Sequence, residues 1–220
     1  MKKVIVFGNG QMAEIVHTYF IHDSDYDVVA FTVDKEVVGS GEFRNLPVVA
    51  FEDVHKNYPP DDHLMFILIG AKDCNRLRES KYLDAKKRGY DFASYISSKA
   101  TICPENEIGE NCFILENNVI QSFVKIKDNC VLWSGNHIGH HSIIHSHNYL
   151  ASHVVVSGGV TINSYCYIGV NATIRDHIEI AQDSVIGAGA LVMKPTVENG
   201  VYMGLPCKKT SIQSTDVDLP

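Results

Sequence analysis

From Ile102 to Val192 an aliphatic residue occupies every sixth position without a break: Ile102, Ile108, Ile114, Ile120, Ile126, Leu132, Ile138, Ile144, Leu150, Val156, Ile162, Ile168, Ile174, Ile180, Ile186 and Val192. A helix repeats at about 3.6 residues and drifts off one side at steps of six, and a strand, repeating at two, would turn every second residue inward and not only every sixth. A parallel β-helix holds the period of six: each hexapeptide aims one aliphatic residue inward, and three hexapeptides close a triangular coil of about eighteen residues. Glycine often follows the aliphatic residue, and the fourth residue after it is commonly small, as at Cys112, Cys130, Ser142, Cys166, Ala172, Ser184 and Ala190. The stretch then makes about five coils. Residues eighteen apart stack, so Ile102, Ile120, Ile138, Val156, Ile174 and Val192 form one core column. Cys112 and Cys130 share another, with Cys166 two coils on, and read as small apolar fillers.

Before residue 98 this hexad disappears and an α/β pattern replaces it. "KVIVFG", "DVVAFTVD" and "LMFILIGA" read as buried strands, "QMAEIVHTYFIH" and "CNRLRESKYLDAKKRG" as helices. Residues 1–97 thus form a small Rossmann-like βαβαβ domain, bridged by "FASYISSKA" to the β-helix of residues 98–194. Residues 195–220 hold a closing loop, "GVYMGLPCKK", and a polar tail. With 45% hydrophobic residues the chain can fill both cores.

"MKKVIVFGNGQMAE" has an apolar run too short for a signal peptide or membrane span, so a cytoplasmic protein is expected, without membrane contact. The net charge of -7 argues against broad binding to nucleic acid, although Lys208 and Lys209 could form a local phosphate pocket. The six cysteines contain no CxxC pair, which predicts reduced thiols without disulfides or structural zinc.

"VFGNGQMAE" places Gly8 and Gly10 between a strand and a helix, where bare backbone can approach a phosphate and helix N–H groups can hold it. Ala13 stands where the dinucleotide fingerprint has its third glycine, and Asp34 ends the second strand, where an acid can meet ribose or base. The unit is only half a dinucleotide fold and a β-helix follows it. A mononucleotide diphosphate therefore fits better than NAD, and a tight turn without a ligand stays open.

"NHIGHHSIIHSHNYLASH", residues 136–153, holds six of the eleven histidines. The eighteen-residue coil pairs His140 with Ser122 and Gly158, His141 with Phe123 and Gly159, His147 with Asn129 and Tyr165, and His153 with Gly135 and Asn171, so no histidine of the cluster stacks on another. His141, His147 and His153 are six apart, occupy three different sides and cannot converge on one ion. His140 and His145 have a spacing that resembles a ligand pair of the β-helical zinc carbonic anhydrases, but the positions two coils earlier are Pro104 and Gly109, and catalytic zinc needs three protein ligands. The remaining functional reading is a general base, with His140 in "HIGHH" as the candidate and the other histidines at the surface or a subunit interface.

Together "FGNGQMAE", "HIGHH", "ASHVVVSGGVTI", "YIGVNATI", "VIGAGALV" and "GLPCKK" resemble the left-handed β-helix sugar acyltransferases of the sialic acid O-acetyltransferase and bacillosamine-pathway N-acetyltransferase family, over about residues 1 to 210. The resemblance implies that His140 takes a proton from the attacking amine or hydroxyl. It further implies that Gly158, Val170 and Ala188 contact acetyl-CoA between subunits, that Gly204 and Pro206 lie near the nucleotide end of CoA, and that Gly8, Gly10 and Asp34 bind a nucleotide sugar. One departure stands out: bacillosamine-type relatives have an acidic residue after the base, and here it is His141. His141, His137, Asn136 or an acid of the next subunit are the candidates for orienting His140.

The expectation is a metal-free homotrimer that transfers acetyl groups from acetyl-CoA to a nucleotide-linked amino sugar in bacterial surface glycan biosynthesis, by direct attack. Sugar O-acetylation on the same fold is the alternative. A zinc lyase of the carbonic anhydrase type and a non-catalytic nucleotide-sugar binder are rivals of other classes.

Overall fold

The computed structural model describes residues 2–204. Pro206, Lys208 and Lys209 lie outside the described residues. Near the N-terminus, β1 (Lys2–Phe7), β2 (Tyr26–Val33), β3 (Glu42–Phe43), β4 (Leu46–Ala50) and β5 (His63–Ile67) form one sheet in the order β3-β4-β2-β1-β5. Val4, Ile5 and Val6 are fully buried, as a central parallel strand covered on both faces requires. Helix α1 (Gln11–His22) places Ala13, Val16 and Phe20 against one face of the sheet. Helix α3 (Arg76–Lys87) brings Tyr82 and Ala85 to the other, together with the short α2 (Val54–Asn57).

The five-stranded sheet is larger than the sequence reading, which counts three strands and two helices. The added β3–β4 hairpin turns on Arg44 and Asn45, both with positive φ (55° and 62°). A two-residue turn with both residues left-handed suits the twist of a hairpin, but Arg-Asn is not a residue pair that signals it.

The remainder is a left-handed parallel β-helix, in agreement with the six-residue period. Its strands are two residues long, and each pairs with the strand one coil away, as Ile120 does with Ile102 and Ile138. The first face runs from Thr101–Ile102 to Leu191–Val192, the second from Glu107–Ile108 to Glu179–Ile180, and the third from Tyr95–Ile96 to Val201–Tyr202. The inward aliphatic residues form one continuous core that includes Cys112, Cys130 and Cys166, all buried and free. At the corners the chain turns through left-handed residues, several of them Asn or Gly, which tolerate positive φ best. Corner side chains also bond to the next coil: Asn136 Oδ1 accepts from Val154 N–H at 2.8 Å, and Asn148 Oδ1 from Cys166 N–H at 2.7 Å.

The three faces differ outward. The third is covered by the N-terminal unit, where Tyr95, Phe113 and Val131 join Phe20 and Phe66 in one core. The second is charged, with Lys125 paired to Glu107 at 2.7 Å. The first leaves Val119, Val155 and Leu191 exposed.

Helix α3 lies along the corner between the second and third faces, where Asn111, Asn129, His147, Tyr165 and Asp183 stack at left-handed φ. Arg76 makes two hydrogen bonds of 3.0 Å to the Asp183 carboxylate, with its guanidinium 3.4 Å from the centre of the Tyr165 ring. His147 stacks on Tyr165 at 5.2 Å. At 9% exposure His147 belongs to this internal seam, not to the surface or a subunit interface as the sequence reading expected. A helix from the other domain covers its corner, which the coil period by itself does not reveal.

Candidate active site

His140 and His141 stand at the corner between the first and second faces, both exposed. The His140 backbone N–H donates to Gln121 Oε1 at 2.9 Å, which ties the residue to the preceding coil. Its ring lies over the next coil at Gly158, where a Cβ would sit 2.7 Å from His140 Cε1 and 2.8 Å from Nε2. Only a residue without a side chain leaves room for the imidazole there. Gly139 brings the two coils together in the same way, since a Cβ on it would be 2.5 Å from Gly158 N. The Gly158 N–H has no hydrogen-bond partner among the described residues.

The partner of His140 is its neighbour. Nδ1 of His140 lies 3.1 Å from Nδ1 of His141, and the rings meet edge to face. The His141 ring packs against Phe123 one coil earlier, with centroids 4.9 Å apart. Asn136 is buried and both ends of its amide are used, donating to Trp133 O and accepting from Val154 N–H. His137 sits on a strand of the first face and makes no hydrogen bond to His140. Neither therefore orients the candidate base within one chain. No carboxylate pairs with His140 or His141 among the described residues. Nor do three His, Cys, Asp or Glu side chains converge there on a possible metal position.

The residues expected to contact CoA divide between two corners. Gly158 shares the His140 corner, whereas Val170 and Ala188 lie on the corner between the third and first faces, both exposed. Gly204 reaches that second corner, since a Cβ on it would be 2.6 Å from Ala188 O. Within one chain these residues flank the first face from opposite edges and do not form one groove.

Gly8, Gly10 and Asp34 do come together. They line a cleft of about 310 Å³ at the carboxyl ends of the strands, with Met12, Val37 and Leu77 among its apolar walls. Gly8 has φ +118°, a conformation that needs glycine, and its N–H donates to Thr32 O at 2.8 Å. A Cβ on Gly10 would meet nothing within 4 Å, so the backbone at the start of α1 is open to a ligand. Asp34 forms an ion pair with Lys81 of α3, whose ammonium lies 5.6 Å from the Phe7 ring centre. Sequence reasoning missed Lys81 because nothing in the α3 segment marks which of its lysines faces the cleft. The eighteen-residue spacing sets Phe123 beside His141, as found, but gives it no role.

Residues 107–140 match the family described as Bacterial transferase hexapeptide (six repeats). No curated protein matches the sequence. Among solved structures, the acetyltransferase domain of PglB from Neisseria gonorrhoeae is similar with a TM-score of 0.82 at 21% identity, covering 96% of this chain and 100% of that one. PerB from Caulobacter crescentus, solved with CoA and GDP-perosamine, has a TM-score of 0.80 at 21% identity, covering 94% and 96%. WeeI from Acinetobacter baumannii has a TM-score of 0.78 at 22% identity, covering 91% and 96%. The chain therefore shares the whole fold of these proteins, both parts and their order.

Proposed function

We propose that the chain is an acetyl-CoA-dependent acetyltransferase that N-acetylates a nucleotide-linked amino sugar in surface glycan biosynthesis, with His140 as general base. The observation that carries this reading is the exposed His140 imidazole seated on Gly158, beside a backbone N–H without a partner among the described residues. A base and an oxyanion donor at one point are what direct acyl transfer needs. The shared fold supports it, since one protein of that fold holds CoA and GDP-perosamine.

The amine attacks the thioester carbonyl and forms the C–N bond. His140 Nε2 takes the amine proton, and the Gly158 N–H stabilises the oxyanion. The C–S bond then breaks and the thiolate leaves with that proton as CoA thiol. No covalent enzyme intermediate and no metal take part. His141 acts through His140 and does not touch substrate.

The active unit in this reading is a cytoplasmic homotrimer joined along the first face, the less polar of the two that the N-terminal unit leaves uncovered. Packing there brings the Gly158 edge of one subunit against the Val170, Ala188 and Gly204 edge of the next, walling a groove for pantetheine. The N-terminal unit covers the third face, opposite the His140 corner. The nucleotide sugar, held by Gly8, Gly10 and Asp34, thus reaches His140 from the neighbouring subunit's cleft.

The test is thiol release from acetyl-CoA with UDP-, dTDP- and GDP-linked amino sugars. Turnover with one of them, lowered about 10²- to 10⁴-fold in His140→Ala while the trimer persists, is expected. No release with any acceptor, or His140→Ala within a few-fold of wild type, rejects the proposal. An alkali-labile product would identify O-acetylation instead.

A further inference from the structure

We propose that His141 is a positioning residue that holds His140 in the tautomer with the proton on Nδ1 and a bare Nε2, and that Phe123 is the wall that keeps His141 in place. The inference rests on the reading of His140 as the base and states how that base is set without a carboxylate. Two imidazole nitrogens 3.1 Å apart cannot both donate or both accept, so the Nδ1 pair shares a single proton. When His140 donates, its Nε2 is free to take a proton from substrate, and His141 carries its own proton on the outward Nε2. Once His140 is cationic, its Nδ1–H still faces the His141 lone pair, and the bond becomes charge-assisted. His141 thus serves both states of the base and needs no change of its own protonation. The balance is closed: one proton enters at His140 Nε2 from the amine and leaves from the same atom to the CoA sulfur.

Phe123 supplies a second, independent observation. It has φ +65° and is 52% exposed, an aromatic residue in a conformation that disfavours a Cβ, on a surface that disfavours its ring. At other corners that conformation is held mainly by residues that tolerate it, such as Asn117, Asn171, Gly135 and Gly189. The Phe123 ring spends its area on His141, tilted by 40° at 4.9 Å. His141 is itself at φ +59° with its N–H held by Ser122 O at 3.2 Å, so its side-chain torsions are what remain to be restrained. A flat wall on one side of the ring restrains them while leaving the nitrogens open.

Nitrogen-15 NMR of histidine-labelled wild-type protein reads the tautomer directly, with His140→Asn used to assign the signal. The expected spectrum has His140 protonated on Nδ1 and bare at Nε2. His141→Leu is expected to lower kcat about 100-fold, with KM for acetyl-CoA and sugar within two-fold of wild type, and to return His140 to the Nε2–H form. His141→Asn keeps an acceptor oxygen and suits a left-handed backbone, and should recover about ten-fold of that loss. Phe123→Leu should lower kcat several-fold and leave KM unchanged. A wild-type His140 protonated on Nε2 overturns the inference, as does an unaltered kcat in His141→Leu. If no acceptor is acetylated by any variant, the proposed function falls and the spectrum alone decides the tautomer; a variant that misfolds is replaced by His141→Gln.

Discussion

Arg78 offers the sharpest test of how the two parts of the chain are joined. Its side chain is fully buried on α3, and each of its five N–H groups has a partner. Nε donates to Asn129 Oδ1 at 3.2 Å, one Nη to Ile69 O at 3.2 Å and Asn75 Oδ1 at 3.0 Å, and the other to Asn129 O at 3.2 Å and Asn148 O at 3.1 Å. No carboxylate faces it among the described residues, and burial pulls its pKa down to about 10, which leaves it cationic at neutral pH. One charge is thus solvated by the oxygens of two successive coils and of the segment that leads into its own helix. Arg78→Met keeps the stem and removes the donors. At a net contribution of about 0.5–1.5 kcal/mol for each hydrogen bond, offset by the desolvation cost of the lost charge, the destabilisation should be about 3 kcal/mol.

Arg78→Lys separates the physical causes. Lysine keeps the charge but has three donors on one atom, which cannot reach five acceptors laid out around a planar fork. It should therefore lose at least as much stability as Met, although it is the milder change on paper. The lone tryptophan, Trp133, packs in the core shared by the two parts and reports the seam by fluorescence. Urea unfolding of wild type and both variants, at one protein concentration because assembly contributes, gives the comparison. A lysine variant more stable than the methionine variant by over 1 kcal/mol would refute the geometric account, as would two variants within 1 kcal/mol of wild type.

Burial lowers the pKa of His147 below its ordinary value, against the pull of Glu79 at 3.6 Å and with help from the Arg78 and Arg76 charges. The unfolded chain then binds a proton before the folded one does, so stability is full above about pH 6.5 and falls as pH drops through that value. Burial likewise lowers His17 and adds to the same slope. The melting temperature should fall between pH 7.5 and 5.5, and His147→Gln should flatten the fall; a wild-type profile level across that range would remove both histidines as its source. In Gly158→Ala the new methyl group would have to displace the His140 ring 2.7 Å away. Circular dichroism and oligomeric state should match wild type while kcat drops at least ten-fold, and an alanine variant with full kcat would mean that Gly158 is not the seat of the base.

What the sequence could and could not disclose follows from where each constraint acts. The β-helix was legible because every coil repeats one demand: the residue at each sixth position points into a core too narrow for anything but a short aliphatic chain. Ile138 meets that demand by its own position, without reference to any distant residue. The same period correctly set His140 against Gly158 and His147 against Tyr165, since stacking by eighteen is a property of the coil alone. It could not say what covers a corner. His147 and Asp183 follow the same local rules as His153 and Gly189, yet α3 lies on the first pair, and α3 belongs to a unit with no repeat to place it. The β3–β4 hairpin is hidden because Arg44 and Asn45, which take left-handed conformations at its turn, are not a residue pair that signals one. At the candidate site the spacing brought Phe123 to His141, but not the 3.1 Å contact between His140 and His141. Neighbouring residues on a straight strand point to opposite faces. It is the corner, with His141 turned to positive φ, that allows their rings to meet, so the pairing of the two histidines is a product of the turn and invisible to a reading by faces.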